Sequence, residues 1–392
     1  MTHELLFYFG DTLLGDINQY AKNRHFTETL KSEATDPTAD VFTFEINWRL
    51  FQRFIAKKTN DPASTFLRVG KTRVVFKCGN YVRFGGWLAA KPARSGAGAE
   101  QNLQLTFYEY FARLSGDLVC NPSNPNDPAV EFNEAAHLYV KDLIGAFLDH
   151  ATAAGETLDW SYGTVATLAT KQKKYNDFQT TAKALCDAMN NVTGAGKFDV
   201  VIRPDPEDYT HQIIDILKPR GSAKNITIRF PSDGVHKLWA NSFSIEETND
   251  FASHVIVAGN GQVGSVAEGE QTANIGTAES AEFVTENCYY RQYVTRSDLV
   301  SQNAVNAAAD TELEARSFVK ETPNLELVGV PINWGDTATG LALGDTFYFD
   351  EQTDDLEDNS GYYRIAKIES SWDDNGVETV NLKLIPAEEP IS

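Results

Sequence analysis

From Val41 to Trp48 every second residue is apolar: Phe42, Phe44, Ile46 and Trp48 alternate with Thr43, Glu45 and Asn47. Successive side chains of an extended chain point to opposite faces, so this pattern predicts a half-buried strand. Shorter runs of the same texture surround it, at Leu5–Phe9, Phe66–Val69, Arg73–Cys78, Tyr81–Leu88 and Leu103–Phe111. Turn-forming stretches such as Asp61-Pro62 and Ser95-Gly96-Ala97-Gly98 divide them. Residues 1–120 are therefore expected to form a β-barrel or sandwich.

The segment Asn121-Pro122-Ser123-Asn124-Pro125-Asn126-Asp127-Pro128 closes that region, because closely spaced prolines continue neither strand nor helix. Beyond it the period changes. Phe132, Ala136, Tyr139, Val140, Leu143 and Phe147 recur at helical spacing, and Phe178, Ala182, Leu185 and Met189 do so again before Gly194 and Gly196. Strands are expected at Phe198–Ile202 and Gln212–Leu217, giving an α+β unit over 121–222.

Strand texture returns where Ile226, Ile228 and Phe230 alternate with Thr227 and Arg229, and continues through Leu238–Ile245 and His254–Ala258. A loop rich in Gly, Ala, Ser and Glu over 259–281 follows, then a helix predicted from Ser297 to Val319. Further strands are expected at Leu325–Ile332 and Thr346–Asp350. Tyr362–Trp372, Asp373-Asp374-Asn375-Gly376 and Val377–Leu384 read as strand, Asn-Gly turn and strand. The expected fold class is mainly β with an α+β insertion: two β-barrel domains, 1–120 and 223–392, flank the unit 121–222. The second barrel carries an internal loop and helix at about 259–320.

Length and composition fit this division. A chain of 392 residues exceeds what one core usually supports, which predicts two to four domains. The 11% aromatic content, with 23 Phe and 15 Tyr, favours strands. Met1–Gly10 carries Glu4 and no basic stretch ahead of its apolar run, so no secretory signal is expected. No segment reaches the roughly 18 to 20 apolar residues of a membrane helix.

The net charge is −21 and its distribution is uneven. Residues 1–220 hold 24 Lys and Arg against 26 Asp and Glu, whereas 221–392 hold 10 against 29. Stable gripping of nucleic acid needs clustered cations, so it is not expected. The acidity of the C-terminal half is explained either by a solvated, solubility-promoting surface or by a repulsive face turned towards DNA.

Candidate chemistry is sparse. Gly259-Asn260-Gly261-Gln262-Val263-Gly264 matches a dinucleotide fingerprint and follows a strand. The next residues cannot supply the helix that would hold a pyrophosphate, so a hairpin loop is expected. The carboxylates of Asp350–Asp358 lack the glycine and terminal Glu spacing of a calcium loop. Cys78, Cys120, Cys186 and Cys288 form no CxxC pair, which predicts free thiols. His3, His25, His137, His150, His211, His236 and His254 show no metal-binding spacing, and no serine lies in a GxSxG elbow. A Ser-His-Asp set assembled from distant residues would leave no such local trace. No catalytic, cofactor-binding or metal-binding residue is therefore expected, and no cofactor.

Four stretches resemble the phage tail hub family, the baseplate hub or tail-associated proteins of phage tail tips. His25-Phe-Thr-Glu-Thr-Leu30 with Ala39–Ile46 is similar to the family's opening strand pair, and Gly85-Gly-Trp-Leu88 with Leu103–Phe107 to the hairpin closing its first barrel. Asn241–Gly259 is similar to the entry of its second barrel, and Gly344–Phe349 with Tyr362–Ser370 to its final strands. The resemblance implies two tube-like barrels per chain and a homotrimeric ring that continues the tail tube. It implies a non-catalytic structural subunit in the virion tail tip, made in the host cytoplasm. DNA would meet it only in transit through the channel. Expected partners are copies of itself, a distal tail protein, a tape measure protein and receptor-binding or spike proteins. Longer members add peptidoglycan-cleaving or receptor-binding domains, and the short stretch after the last strand argues against one here. A carbohydrate-active or carbohydrate-binding all-β protein is the alternative reading, as is the hub of a contractile injection machine.

Overall fold

The structure is a computed structural model. It describes all residues except 1–2, 34–39, 96–100, 121–129, 176–178, 191–197, 219, 233, 235–237, 248–251, 262–272, 282–283, 285–288, 297–298, 317–320, 330–331, 335, 337–339, 353–358, 374–375 and 388–392. The protein is mainly β.

The N-terminal region contains β1 (His3–Phe9), β2 (Thr12–Asp16), β3 (Ala21–Thr29), β4 (Val41–Asn47), helix α1 (Trp48–Ala56), β5 (Thr72–Cys78), β6 (Tyr81–Leu88), β7 (Ala93–Ser95) and β8 (Asn102–Glu109). The alternation in β4 buries Phe42, Phe44 and Ile46 to 1% exposure or less. At Asn47 the period changes. Its side-chain oxygen accepts hydrogen bonds from the amides of Arg49 and Leu50, capping α1, whose Phe51, Phe54 and Ile55 turn inward. The sequence reading placed only a strand here and missed this helix.

The middle region contains β9 (Val130–Ala135), α2 (Ala136–Ala153), β10 (Trp160–Val165), β11 (Thr170–Tyr175), α3 (Thr181–Asn190), β12 (Asp199–Pro204) and β13 (Gln212–Leu217). β10 runs parallel to β13 and β12 antiparallel to it, while β9 pairs with β11. α2 begins at Ala136, not near Phe132, because 130–135 is held extended by its pairing with 170–175. Tyr139, Val140, Ile144, Leu185, Met189, Val200, Ile214 and Ile216 form this unit's own core.

The C-terminal region contains β14 (Ala223–Phe230), β15 (Ser242–Glu247), β16 (His254–Ala258), β17 (Ile275–Glu279), β18 (Arg291–Thr295), α4 (Gln302–Arg316), β19 (Glu321–Val328), β20 (Thr346–Glu351), β21 (Gly361–Trp372) and β22 (Glu378–Pro386). Expectation and structure diverge at β16. The strand His254–Ala258 lies outside the large sheet, in a separate sheet of order β17-β16-β18 covered by α4. The backbones approach closely there, and a Cβ on Gly276 would stand 2.6 Å from the Val305 carbonyl.

Fourteen described strands from both ends of the chain make one sheet, with a main path β15-β19-β22-β21-β3-β4-β8-β6-β5-β1-β2. β21 is the splice. One edge pairs with β22 throughout, while the other is shared between β20 at Gly361–Arg364 side and β3 at Lys367–Ser371. Beneath it a single apolar cluster runs from Leu5 and Phe7 through Phe76 and Phe107 to Ile368, Leu382 and Leu384.

Candidate functional site

Where the two ends of the sheet meet each other and the middle unit, the apolar core gives way to a buried ionic seam. Arg83 sits in β6 between Phe84 and Val82 and is 2% exposed at its side chain. It donates to Glu378 of β22 at 2.6 Å and to Ser370 of β21 at 2.8 Å. Its guanidinium lies 3.7 Å from the ring centre of Trp334 and 5.1 Å from that of Phe26. A planar cation is suited to this place, since it stacks and hydrogen-bonds at once.

A second cation, Lys31, occupies the turn after β3. Its ammonium donates to Asp40 at 2.7 Å and stands 3.0 Å from a Glu109 oxygen, and its side chain is only 1% exposed. Asp40 also accepts the Thr29 amide at 2.8 Å. Two carboxylates share one ammonium, and burial pushes the Asp40 carboxyl up to about 7, with Glu109 reinforcing and Lys31 opposing the shift.

A third group ties in the middle unit. Arg220 pairs with Glu28 of β3, whose carboxyl burial nevertheless raises above the usual range. The Arg220 carbonyl accepts from Arg364 at 3.0 Å, and Arg364 in turn approaches Asp199 of β12 at 3.8 Å. Asp199 accepts from the amide of Ser32 at 2.9 Å. Around these groups lies a cavity of about 300 Å³ lined by Glu28, Asp40, Tyr81, Arg83, Glu109 and Arg220 among others. Packing fixes the same seam sterically: a Cβ on Gly85 would fall 2.3 Å from Pro204. Charges buried this way fix a geometry, because each pairs with a partner from another part of the chain.

The sequence candidates lie elsewhere. Gly259 directly follows β16, and residues 262–264 of the dinucleotide-like run lie outside the described residues. Asp350 accepts two hydrogen bonds from Arg229, at 2.5 and 2.8 Å, so it serves the β14–β20 pair; 353–358 lie outside the described residues. Of the expected turn after β21, residues 374–375 lie outside the described residues; Gly376, at φ +79°, donates its amide to the Asp373 carbonyl at 3.0 Å. Cys78, Cys120 and Cys186 form no disulfide among the described residues, and burial raises the Cys78 thiol to about 11. His3 packs on Phe76 and Trp372, His137 accepts the Leu168 amide, His150 meets Asp117 and His254 meets Glu279; His236 and Cys288 lie outside the described residues. None of Lys31, Asp40, Arg83, Glu109, Asp199 or Arg220 was singled out from sequence. A charged residue inside the apolar run Tyr81–Leu88 was the one available signal for Arg83.

The main strand path of the large sheet ends in β2 on one side and β15 on the other. Among the described residues β2 pairs only with β1, and β15 only with β19. Leu13 in β2 is 50% exposed. β2 belongs to the N-terminal strands and β15 to the C-terminal strands; among the described strands, two side branches end in β7, paired with β8, and in β14, paired with β20.

The fold is similar to that of solved phage tail proteins. Two solved structures share it over nearly their whole length. The 43 kDa tail protein of prophage MuSo2 from Shewanella oneidensis has a TM-score of 0.61 at 11% identity, covering 98% of each chain. The tail protein from Neisseria meningitidis MC58 has a TM-score of 0.61 at 11% identity, covering 98% of this chain and 97% of its own. Prophage tail protein gp18 from Listeria monocytogenes EGD-e follows, with a TM-score of 0.50 at 11% identity over 97% and 94% of the two chains. No protein-family profile and no curated protein matches the sequence.

Proposed function

We propose that the protein is a structural subunit of a phage-like tail tip, a hub that assembles with copies of itself into a ring continuing the tail tube. One observation carries this reading: in a chain whose fold is similar to that of phage tail proteins, the main strand path of the large sheet ends, among the described residues, in N-terminal β2 on one side and C-terminal β15 on the other. Exposed edges are templates for pairing, and two different edges on one molecule suit a head-to-tail contact that closes into a ring. In the ring, β15 of one copy runs beside β2 of the next, and the N- and C-terminal strand sets act as two barrel-like halves. The buried seam fixes the angle between those halves, which sets the number of copies. Three copies complete the circle. This role requires no turnover. A distal tail protein, a tape measure protein and a spike or receptor-binding protein are its neighbours in the assembled tail.

DNA passes through the channel, and part of the excess of 29 acidic over 10 basic residues in 221–392 faces it. Carboxylates repel phosphates at close range and are screened beyond about 8–10 Å, so the wall releases the genome where a basic wall would hold it.

Mass photometry tests the assembly. A particle of about 130 kDa, three times the chain mass of 43.4 kDa, is expected at micromolar concentration. Combining Leu13→Cys with Ser244→Cys gives a covalent ladder up to trimer on oxidation, and neither single change does. Monomer alone, with no ladder, rules the reading out, and a neutral or basic inner wall in the assembled particle rules out the repulsive channel.

A further inference from the structure

On the middle unit the chain brings together a serine, a histidine and an aspartate that the structural role does not use. β10 and β13 are parallel neighbours with Ser161 opposite Ile213, so Asp159, just ahead of β10, Ser161 and His211 share one face of the sheet. The Ser161 hydroxyl lies 2.7 Å from Nε2 of His211. Nδ1 of the same ring lies 3.0 Å from an Asp159 carboxylate oxygen. A carboxylate only accepts, so the ring proton sits on Nδ1, and Nε2 is left with a lone pair aimed at the hydroxyl.

The backbone holds this alignment. His211 donates its amide to the Asp208 carbonyl and accepts from Asp205, each at 2.9 Å, and the Asp159 carbonyl accepts the Gln212 amide at 2.9 Å. The histidine is therefore pinned from both sides. The Gln212–Asp159 bond also sets which residues of β10 face β13: alternate residues turn their amides the other way. The amide of Tyr162, the residue after the serine, accordingly points to the open edge of β10, where a developing oxyanion can be met.

We propose that Ser161, His211 and Asp159 form a nucleophilic triad that cleaves small acyl esters. Ser161 attacks the ester carbonyl while His211 Nε2 takes its proton. The carbon–alkoxide bond breaks, and His211 returns that proton to the departing alcohol. Water, deprotonated by the same nitrogen, then attacks the acyl-serine and releases the acid, and the proton goes back to Ser161. Ser161 and Asp159 are exposed on an edge strand, so the site accepts a short acyl group projecting from a larger carrier. Asp159 is a positioning residue, and its 70% exposure keeps its contribution modest.

With one edge amide as oxyanion donor, turnover is slow, and covalent capture is the more sensitive readout. Incubating the full chain with diisopropyl fluorophosphate transfers one phosphoryl group to Ser161, with loss of fluoride, and peptide mass mapping locates it. Ser161→Ala abolishes the adduct. His211→Gln slows labelling by about 100-fold or more, the scale of a lost general base. Asp159→Asn slows it by about three- to tenfold, as expected for an exposed, screened carboxylate, and Asp159→Glu restores most of the rate. Release of p-nitrophenol from p-nitrophenyl acetate follows the same order. Unchanged thermal melting of each variant separates lost reactivity from lost fold. No adduct at Ser161, equal labelling of His211→Gln, or equal ester cleavage by Ser161→Ala overturns the proposal and leaves the ring reading untouched.

Discussion

Lys31→Met is expected to destabilise the protein by about 3–5 kcal/mol, the cost of removing one partner from a buried ionic group. The Met side chain fills a similar volume beside Phe111, over which the Lys31 ammonium lies at 5.2 Å, so lost packing contributes little. The loss comes from Asp40 and Glu109, which are left buried together without the ammonium they share. Thermal and chemical melts of the full chain read it. Adding Asp40→Asn to Lys31→Met recovers a large part, because it removes the charge that has become uncompensated. The effect depends on pH with a definite sign. Burial raises Asp40 from its ordinary 3.8 to about 7, so the folded chain holds a proton that the unfolded chain releases. That group's contribution is present in full below about pH 4 and is lost as pH rises to about 7. Lys31→Met is therefore less damaging at pH 5 than at pH 8, where Asp40 is charged. Equal melting of variant and parent at pH 8 would mean that the ammonium does not compensate these groups.

The legible parts of the fold were those whose cause is local. β4 and β14 announce themselves by alternation, β21 and β22 by strand texture on either side of an Asn-Gly dipeptide, and α2 and α3 by apolar residues three and four apart. The misses have physical reasons. Trp48 continues the apolar alternation of β4, which masks the change of period, although Asn47 was a readable cap. β11 is Thr-Lys-Gln-Lys-Lys-Tyr, a polar strand made extended by pairing with β9, and no periodicity reports such a partner. Pairing of Ser371 with His25 joins residues near opposite ends of the chain, and only the folded molecule shows that one sheet unites them. The seam and the serine triad are legible only in space for the same reason. Asp199 and Ser32 are 167 positions apart and Ser161 and His211 are 50.

Arg83→Lys is expected to cost about 2–4 kcal/mol despite keeping the charge. A guanidinium reaches Glu378 and Ser370 with two different nitrogens while its plane rests on Trp334, and an ammonium on a thinner stem cannot do all three. Each lost charge-assisted hydrogen bond is worth about 1.5–3 kcal/mol and the stacking about 0.5–2. Glu378 keeps only a 3.4 Å approach from the Trp334 indole nitrogen. Arg83→Met costs more, since it removes the cation bonded to that carboxylate, which is 16% exposed. Because Arg83 joins β6 to β21 and β22, the variants loosen the hold between the N- and C-terminal strands. Hydrogen exchange should therefore rise first along the β3–β21 pairing, ahead of the β9–β11 pair. A lysine variant that melts with the parent and shows no faster exchange at Lys367–Ser371 would show that the guanidinium does not fasten the two ends of the sheet.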